Sequence, residues 1–194
     1  MSIYNKVRSV NAILQTASKE VRDFQKLTGI YCIDNCHSCC TKKDIYATEL
    51  EFYPLAYNLF KNKKAYQVLE ELQNQNEQEL SNCILYKPGL FEMKFGCTEY
   101  VYRGLICRLF GYSFSADKYG NKKFMTCKTI KNHFSTKVEE LSQIKKKPGM
   151  QKYYSELSKI DFYLANKLVP INQAIQRAIE KIVFHYELRK KKPA

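Results

Sequence analysis

A chain of 194 residues, 45% of them apolar, carries enough apolar material for one domain with a real core. No stretch approaches the roughly 18 apolar residues of a membrane helix, and no N-terminal apolar run ends in a cleavage signal, so the expected location is the cytoplasm, with no membrane partner. The formal charge of +13 could recruit nucleic acid, but Lys and Arg fall in short dispersed runs, Lys42-Lys43, Lys61 to Lys64, Lys145 to Lys147 and Arg189 to Lys192. The expected surface is generally basic and solvated, with non-specific nucleic-acid binding as the contact it permits.

Ile3, Val7, Val10, Leu14, Ala17, Val21 and Phe24 recur at steps of four and three, which predicts an N-terminal amphipathic helix over 1–30, with Ser2 as its cap and Gly29 as its stop. Three heptads with an alanine in the seam suit packing on the helix's own domain better than a coiled coil. The cysteine-dense stretch follows at once, so the helix is expected to cover one side of it.

Thr48-Glu49-Leu50-Glu51 matches a capping box, and Val68, Leu69, Leu72 and Leu80 mark a buried stripe of further helix. Pro54 forces a kink or a fresh start. Between Cys83 and Cys127 the texture changes to Gly, Pro, Tyr and Phe with short β-prone runs. ILY, LFEMKF and GYSFSADKYGNKKFMTC read as small hairpins with turns at Pro88-Gly89 and near Tyr119-Gly120-Asn121.

Helices return past Cys127. Thr136-Lys137-Val138-Glu139 is a second capping box, Pro148-Gly149 breaks the run, and Leu157, Ile160, Leu164 and Leu168 are expected to share one buried helical face. Pro170 suits the first turn of a last helix carrying Ile171, Ala174, Ile175, Ala178, Ile179, Ile182 and Val183 on one side. The tail ELRKKKPA should fray. The fold class is therefore mainly α: one domain over 1–194, with helices packed around an irregular cysteine-rich metal-binding block (31–130) that contains short β-hairpins, and C-terminal helices over 131–194.

All eight cysteines lie between Cys32 and Cys127. In a reducing compartment, clustered thiols bind metal more often than they pair as disulfides. Cys36-His37-Ser38-Cys39 has the two-residue gap by which one turn presents two sulfurs to an ion, and Cys32 lies close enough to join. Cys39 and Cys40 are adjacent and their side chains diverge, which suggests two metal positions or one multinuclear centre. His37 is expected to support the site or face solvent rather than ligate. The C-x3-C-x2-C spacing of Cys32, Cys36 and Cys39 also occurs in radical S-adenosylmethionine enzymes. Those enzymes need alternating strands and helices, which this chain lacks. A nucleophilic cysteine would need a base, and nothing links His37, His133 or His185 to a thiol.

The cluster Cys32, Cys36, Cys39, Cys40, the later Cys83-Ile84-Leu85, and the segment from Cys97 through Tyr100, Arg103 and Cys107 to Arg108 resemble the CxxCxxCC cysteine-cluster proteins, a zinc- or iron-chelating family. Glu99 and Gly104 stand where that family's pattern has isoleucine and proline, and the first gap is one residue longer. The resemblance covers roughly residues 32 to 127, with Cys127 completing the eight. It implies a metal-binding protein whose metal ligands are Cys32, Cys36, Cys39, Cys40, Cys83, Cys97, Cys107 and Cys127, holding zinc or an iron–sulfur cluster. A similar cluster in flagellin lysine N-methylases leaves open an iron–sulfur-dependent enzyme of methyltransferase-like or redox type. A basic nucleic-acid-binding protein with structural zinc is the third possibility. Beside these ligands, Arg103 and Arg108 can offset thiolate charge. Tyr100 can pack against the cluster or donate to sulfur, with core packing the simpler role.

Overall fold

The computed structural model describes residues 1–33, 36–74, 82–88, 96–139, 141, 144 and 147–190. Leu80, Gly89, the LFEMKF run and the chain beyond Lys190 lie outside the described residues. No helix among the described residues is long and apolar enough to cross a membrane.

The N-terminal seam becomes helix α1 (Ile3–Thr28). The Ser2 hydroxyl accepts the Asn5 N–H at 3.3 Å. Gly29 closes the helix in the left-handed conformation (φ 64°) that glycine tolerates without Cβ strain, donating its N–H to the Gln25 carbonyl. Val7, Val10, Leu14, Ala17, Val21 and Phe24 are all buried against the rest of the same chain, as packing on its own domain requires.

After α1 come strand β1 (Tyr46–Thr48), a 3-10 turn (Leu50–Phe52), and helices α2 (Tyr53–Lys61) and α3 (Ala65–Gln73). Pro54 sits in the first turn of α2, where its missing N–H costs nothing, so it marks a fresh start. Two short antiparallel pairs follow. Strand β2 (Tyr86–Lys87) pairs with β3 (Gly96–Cys97); after a 3-10 turn (Tyr100–Tyr102) and helix α4 (Leu105–Leu109), β4 (Ser113–Ala116) pairs with β5 (Lys122–Met125). Phe24 meets Phe114 and Phe124 at ring distances of 5.8 and 5.6 Å, and these contacts seat the second hairpin on the end of α1.

Helices α5 (Lys128–His133), α6 (Ser135–Glu139), α7 (Met150–Ile160) and α8 (Phe162–Asn166) lead to strand β6 (Leu168–Pro170) and the long closing helix α9 (Ile171–Lys190). The apolar face expected for α9 is buried from Ile171 to Val183. It packs on α2 and α3, while α1 packs on α2, α4 and α7.

Two expectations are corrected by strand β6. Leu168 does not continue the helical face of Leu157; it lies in β6 and is 58% exposed. Asp161 leaves helical geometry (φ −156°, ψ 106°) and caps α8 by accepting the Leu164 N–H at 3.1 Å, so a new, short helix starts there. The chain then pairs with β1, Ala47 opposite Val169, and the period-2 alternation buries Val169 while turning Leu168 outward. Pro170 ends that strand rather than opening α9, and Ile171 donates its N–H to Ile45.

Candidate metal centre

The thiols are assembled by backbone hydrogen bonds from separate stretches. In the first cluster the Cys36 N–H donates to the Ile33 carbonyl at 3.0 Å, and the Cys40 N–H donates to that of His37 at 2.8 Å, closing a tight turn. The Cys83 N–H donates to the Cys40 carbonyl at 3.0 Å, and Tyr86 donates back to Cys83 at 2.8 Å. Tyr86 stands opposite Cys97 in the β2–β3 ladder, and the neighbouring Thr98 N–H reaches the Leu85 carbonyl. Asn172 of α9 pinches the Cys83 loop from outside, accepting the Ile84 N–H at 2.9 Å and donating to the Asn82 carbonyl at 3.0 Å. The His37 ring stacks on Tyr86 at 5.3 Å, so this residue braces the turn against the hairpin.

Cys107 is placed by a buried carboxylate. Glu51 accepts the Thr48 N–H at 2.7 Å with one oxygen and the Ile106 N–H at 2.8 Å with the other. The capping-box glutamate thus caps its own turn and anchors the residue before Cys107. Burial pushes the Glu51 carboxyl above its ordinary range, against the hydrogen bonds from Thr48 and Ile106. Gly104 lets this approach happen: a Cβ there would lie 2.7 Å from the Phe52 ring and 3.1 Å from a Glu51 oxygen. Position 104 therefore has no room for a side chain. Cys127 is the N-cap of α5, its sulfur accepting the Ile130 N–H at 3.5 Å.

All eight cysteines are free thiols. Their charges act on one another: Cys36, Cys39 and Cys127 on Cys32; Cys39, Cys83 and Cys97 on Cys40; Cys83, Cys39 and Cys97 on Cys107; and Cys39 on Cys83 and Cys97 as well. Burial pushes Cys32 and Cys83 up to about 12 and raises Cys97 and Cys107. Burial also acts on Cys36, but hydrogen bonds with Ser38 outweigh it and leave that thiol below its ordinary value. The Cys39 and Cys40 sulfurs are 3.9 Å apart. Their shared hydrogen bond, helped by the nearby Arg103 charge, draws Cys39 down to about 6 and holds Cys40 well above the thiol range.

The arginines have separate placements. Arg103 lies 3.9 Å over the ring of Tyr100. Its charge favours the thiolates of Cys39 and Cys97, and its buried Nε has no hydrogen-bond partner among the described residues. Arg108 is buried and spends its guanidinium on the Ser18 hydroxyl and the carbonyls of Val101 and Arg103, bridging α1 to the turn before α4. Burial, then the Arg103 charge, lower it to about 10. Tyr100 is 60% exposed, so core packing is not its role.

Thiols beside a cation with an unpaired N–H are the donor type that thiophilic metals take. Among the described residues, no three His, Cys, Asp or Glu side chains stand in the geometry that would hold an ion. Glu51 and Asn172 carry no signal of these roles in the sequence, since their partners lie far along the chain; only the capping-box pattern singled Glu51 out. No family model, curated protein or solved structure matches the chain.

Proposed function

We propose that the chain is a cytoplasmic metal-binding protein in which Cys32, Cys36, Cys39, Cys40, Cys83, Cys97, Cys107 and Cys127 hold zinc or an iron–sulfur centre. The observation that carries the reading is the Cys83 N–H to Cys40 carbonyl bond, which joins the first thiol cluster to the later cysteines. The resemblance to the CxxCxxCC proteins agrees with it, and eight free thiols suit a reducing compartment. Zinc would staple a middle region made of two-stranded hairpins too small to be stable alone. An iron–sulfur centre would add redox chemistry. Arg103 would offset thiolate charge, and Arg108 and Asn172 would fix the loops that carry the ligands.

Metal analysis of anaerobically purified protein tests this, with visible absorption that bleaches on reduction separating iron from colourless zinc. Stoichiometric metal, and loss of cooperative unfolding on chelation, are expected. A folded, metal-free chain whose unfolding ignores chelators would overturn the reading.

A further inference from the structure

Four large apolar side chains stand in solvent where α8 runs into the β1–β6 ladder. Phe162 and Tyr163 on α8 are 65% and 85% exposed, and their rings meet edge to face at 6.0 Å, so the two present differently oriented faces. Tyr46 pairs with Pro170 and Thr48 with Leu168, which puts Tyr46 and Leu168 on one face of the ladder, opposite the buried Ala47 and Val169. Tyr46 and Leu168 are exposed, and α8 packs against β1, so the four side chains share one neighbourhood. An exposed apolar residue standing alone needs no explanation; a group of four, three of them aromatic, marks a contact surface.

The uncompensated charge around this group is of one sign. Lys43 precedes β1, Lys159 lies in the last turn of α7 and Lys167 joins α8 to β6; all three are exposed and, among the described residues, none makes a salt bridge. The aspartates beside them are already engaged, Asp44 by Lys42 at 3.1 Å and Asp161 by Lys6 at 2.6 Å. On a chain of net charge +13 this selects an anionic partner and disfavours a second copy, which would set the same lysines against one another. A single-stranded nucleic acid supplies both complements, phosphates for the lysines and flat unpaired bases for the rings, whereas a duplex keeps its bases inside the stack. We propose that Tyr46, Phe162 and Tyr163, with Lys43, Lys159 and Lys167 around them, form a stacking site for the unpaired bases of single-stranded RNA or DNA, without sequence preference. The site contains no cysteine and is independent of the metal-binding reading.

The test measures binding of the full chain to fluorescent oligo-dT and oligo-U strands of about 12 nucleotides, to a dA·dT duplex of the same length, and to vesicles of phosphatidylserine and phosphatidylcholine. The strands should bind more tightly than the duplex. Phe162→Ala and Tyr163→Ala should each weaken strand binding about 5- to 150-fold, while Tyr163→Phe, which keeps a ring, should stay within about twofold of wild type. Lys167→Gln should lower the slope of log affinity against log salt by about 0.7. These side chains are exposed, so the variants should keep the wild-type circular dichroism. A strand carrying 5-bromouracil, irradiated in the complex, should crosslink within the peptide that holds Phe162 and Tyr163. Equal affinity for strand and duplex, or alanine variants that bind strands as wild type does, overturns the proposal. So does a loss confined to vesicle binding, which would assign the surface to lipid, or a loss confined to self-association in sedimentation, which would assign it to a second copy.

Discussion

The backbone N–H of Cys83 donates to the carbonyl of Cys40 at 3.0 Å, so two cysteines far apart in the chain are held side by side before any ligand acts on them. Asn172 locks the same loop to α9, a helix buried along most of one face. Replacing Asn172 with Ala removes both side-chain bonds and frees the Ile84 N–H, at a cost of about 1–2 kcal/mol. The expected outcome is faster metal release to a chelator with far-UV circular dichroism unchanged; an unaltered release rate would refute the bracing role.

Arg108 is a strut rather than a mobile counter-ion. Arg108→Ala strands the buried Ser18 hydroxyl and two carbonyls, and should cost about 3 kcal/mol in urea unfolding. Lysine, with no planar fork, should recover less than half of that loss. An alanine variant within 0.5 kcal/mol of wild type, an interval of about the size of ordinary surface effects, would show that the bridge contributes nothing.

Gly104→Ala should be destabilising although the backbone there (φ −63°) accepts any residue. The new methyl meets the Phe52 ring at 2.7 Å, so either that core ring or α4 must shift, at about 1–3 kcal/mol. Thermal unfolding reads the effect, and a neutral result would mean that α4 does not rest against Phe52 in solution.

Two carboxyls give stability opposite pH slopes. Glu51 has a raised folded-state pKa, so its contribution is fully present below the ordinary value of 4.5 and is lost as pH rises through the folded value. Asp161 is driven up by burial but brought below 3.8 by the 2.6 Å hydrogen bond from Lys6, so its contribution is present above 3.8 and is lost as pH falls through the folded value. Denaturant midpoints measured against Glu51→Gln and Asp161→Asn across this range should show the gap from wild type narrowing with rising pH for the first and with falling pH for the second. Parallel profiles would contradict these environments.

Metal affinity should rise with pH, because Cys32, Cys83, Cys97 and Cys107 are all held above the ordinary thiol value and must lose protons to bind. Proton release measured on zinc addition should exceed one per ion, with affinity gaining more than tenfold per pH unit near neutrality. Binding independent of pH would exclude thiolate ligation.

The helical framework was legible in the residues because it rests on local period and local punctuation. The seam from Ile3 to Phe24 between Ser2 and Gly29, the fresh start at Pro54, the hairpin around Gly120 and the buried face of α9 each follow from side chains within a turn or two of one another. Concentration of the eight cysteines between residues 32 and 127 was equally plain.

What the sequence could not decide was everything made by partners distant along the chain. Leu168 looked helical because three-residue strands carry too few positions to show a period of two; only the pairing of β6 with β1 fixed its direction. Glu51 read as a cap, yet its second oxygen also holds Ile106; Arg108 read as a cation for sulfur, and the Cys107 charge does act on it, but its hydrogen bonds to Ser18 and two carbonyls were not legible. The residues named which thiols exist, while their arrangement into neighbours came from closing the loops on α1 and α9, since proximity through space leaves no local pattern in a chain whose contacts are this far apart.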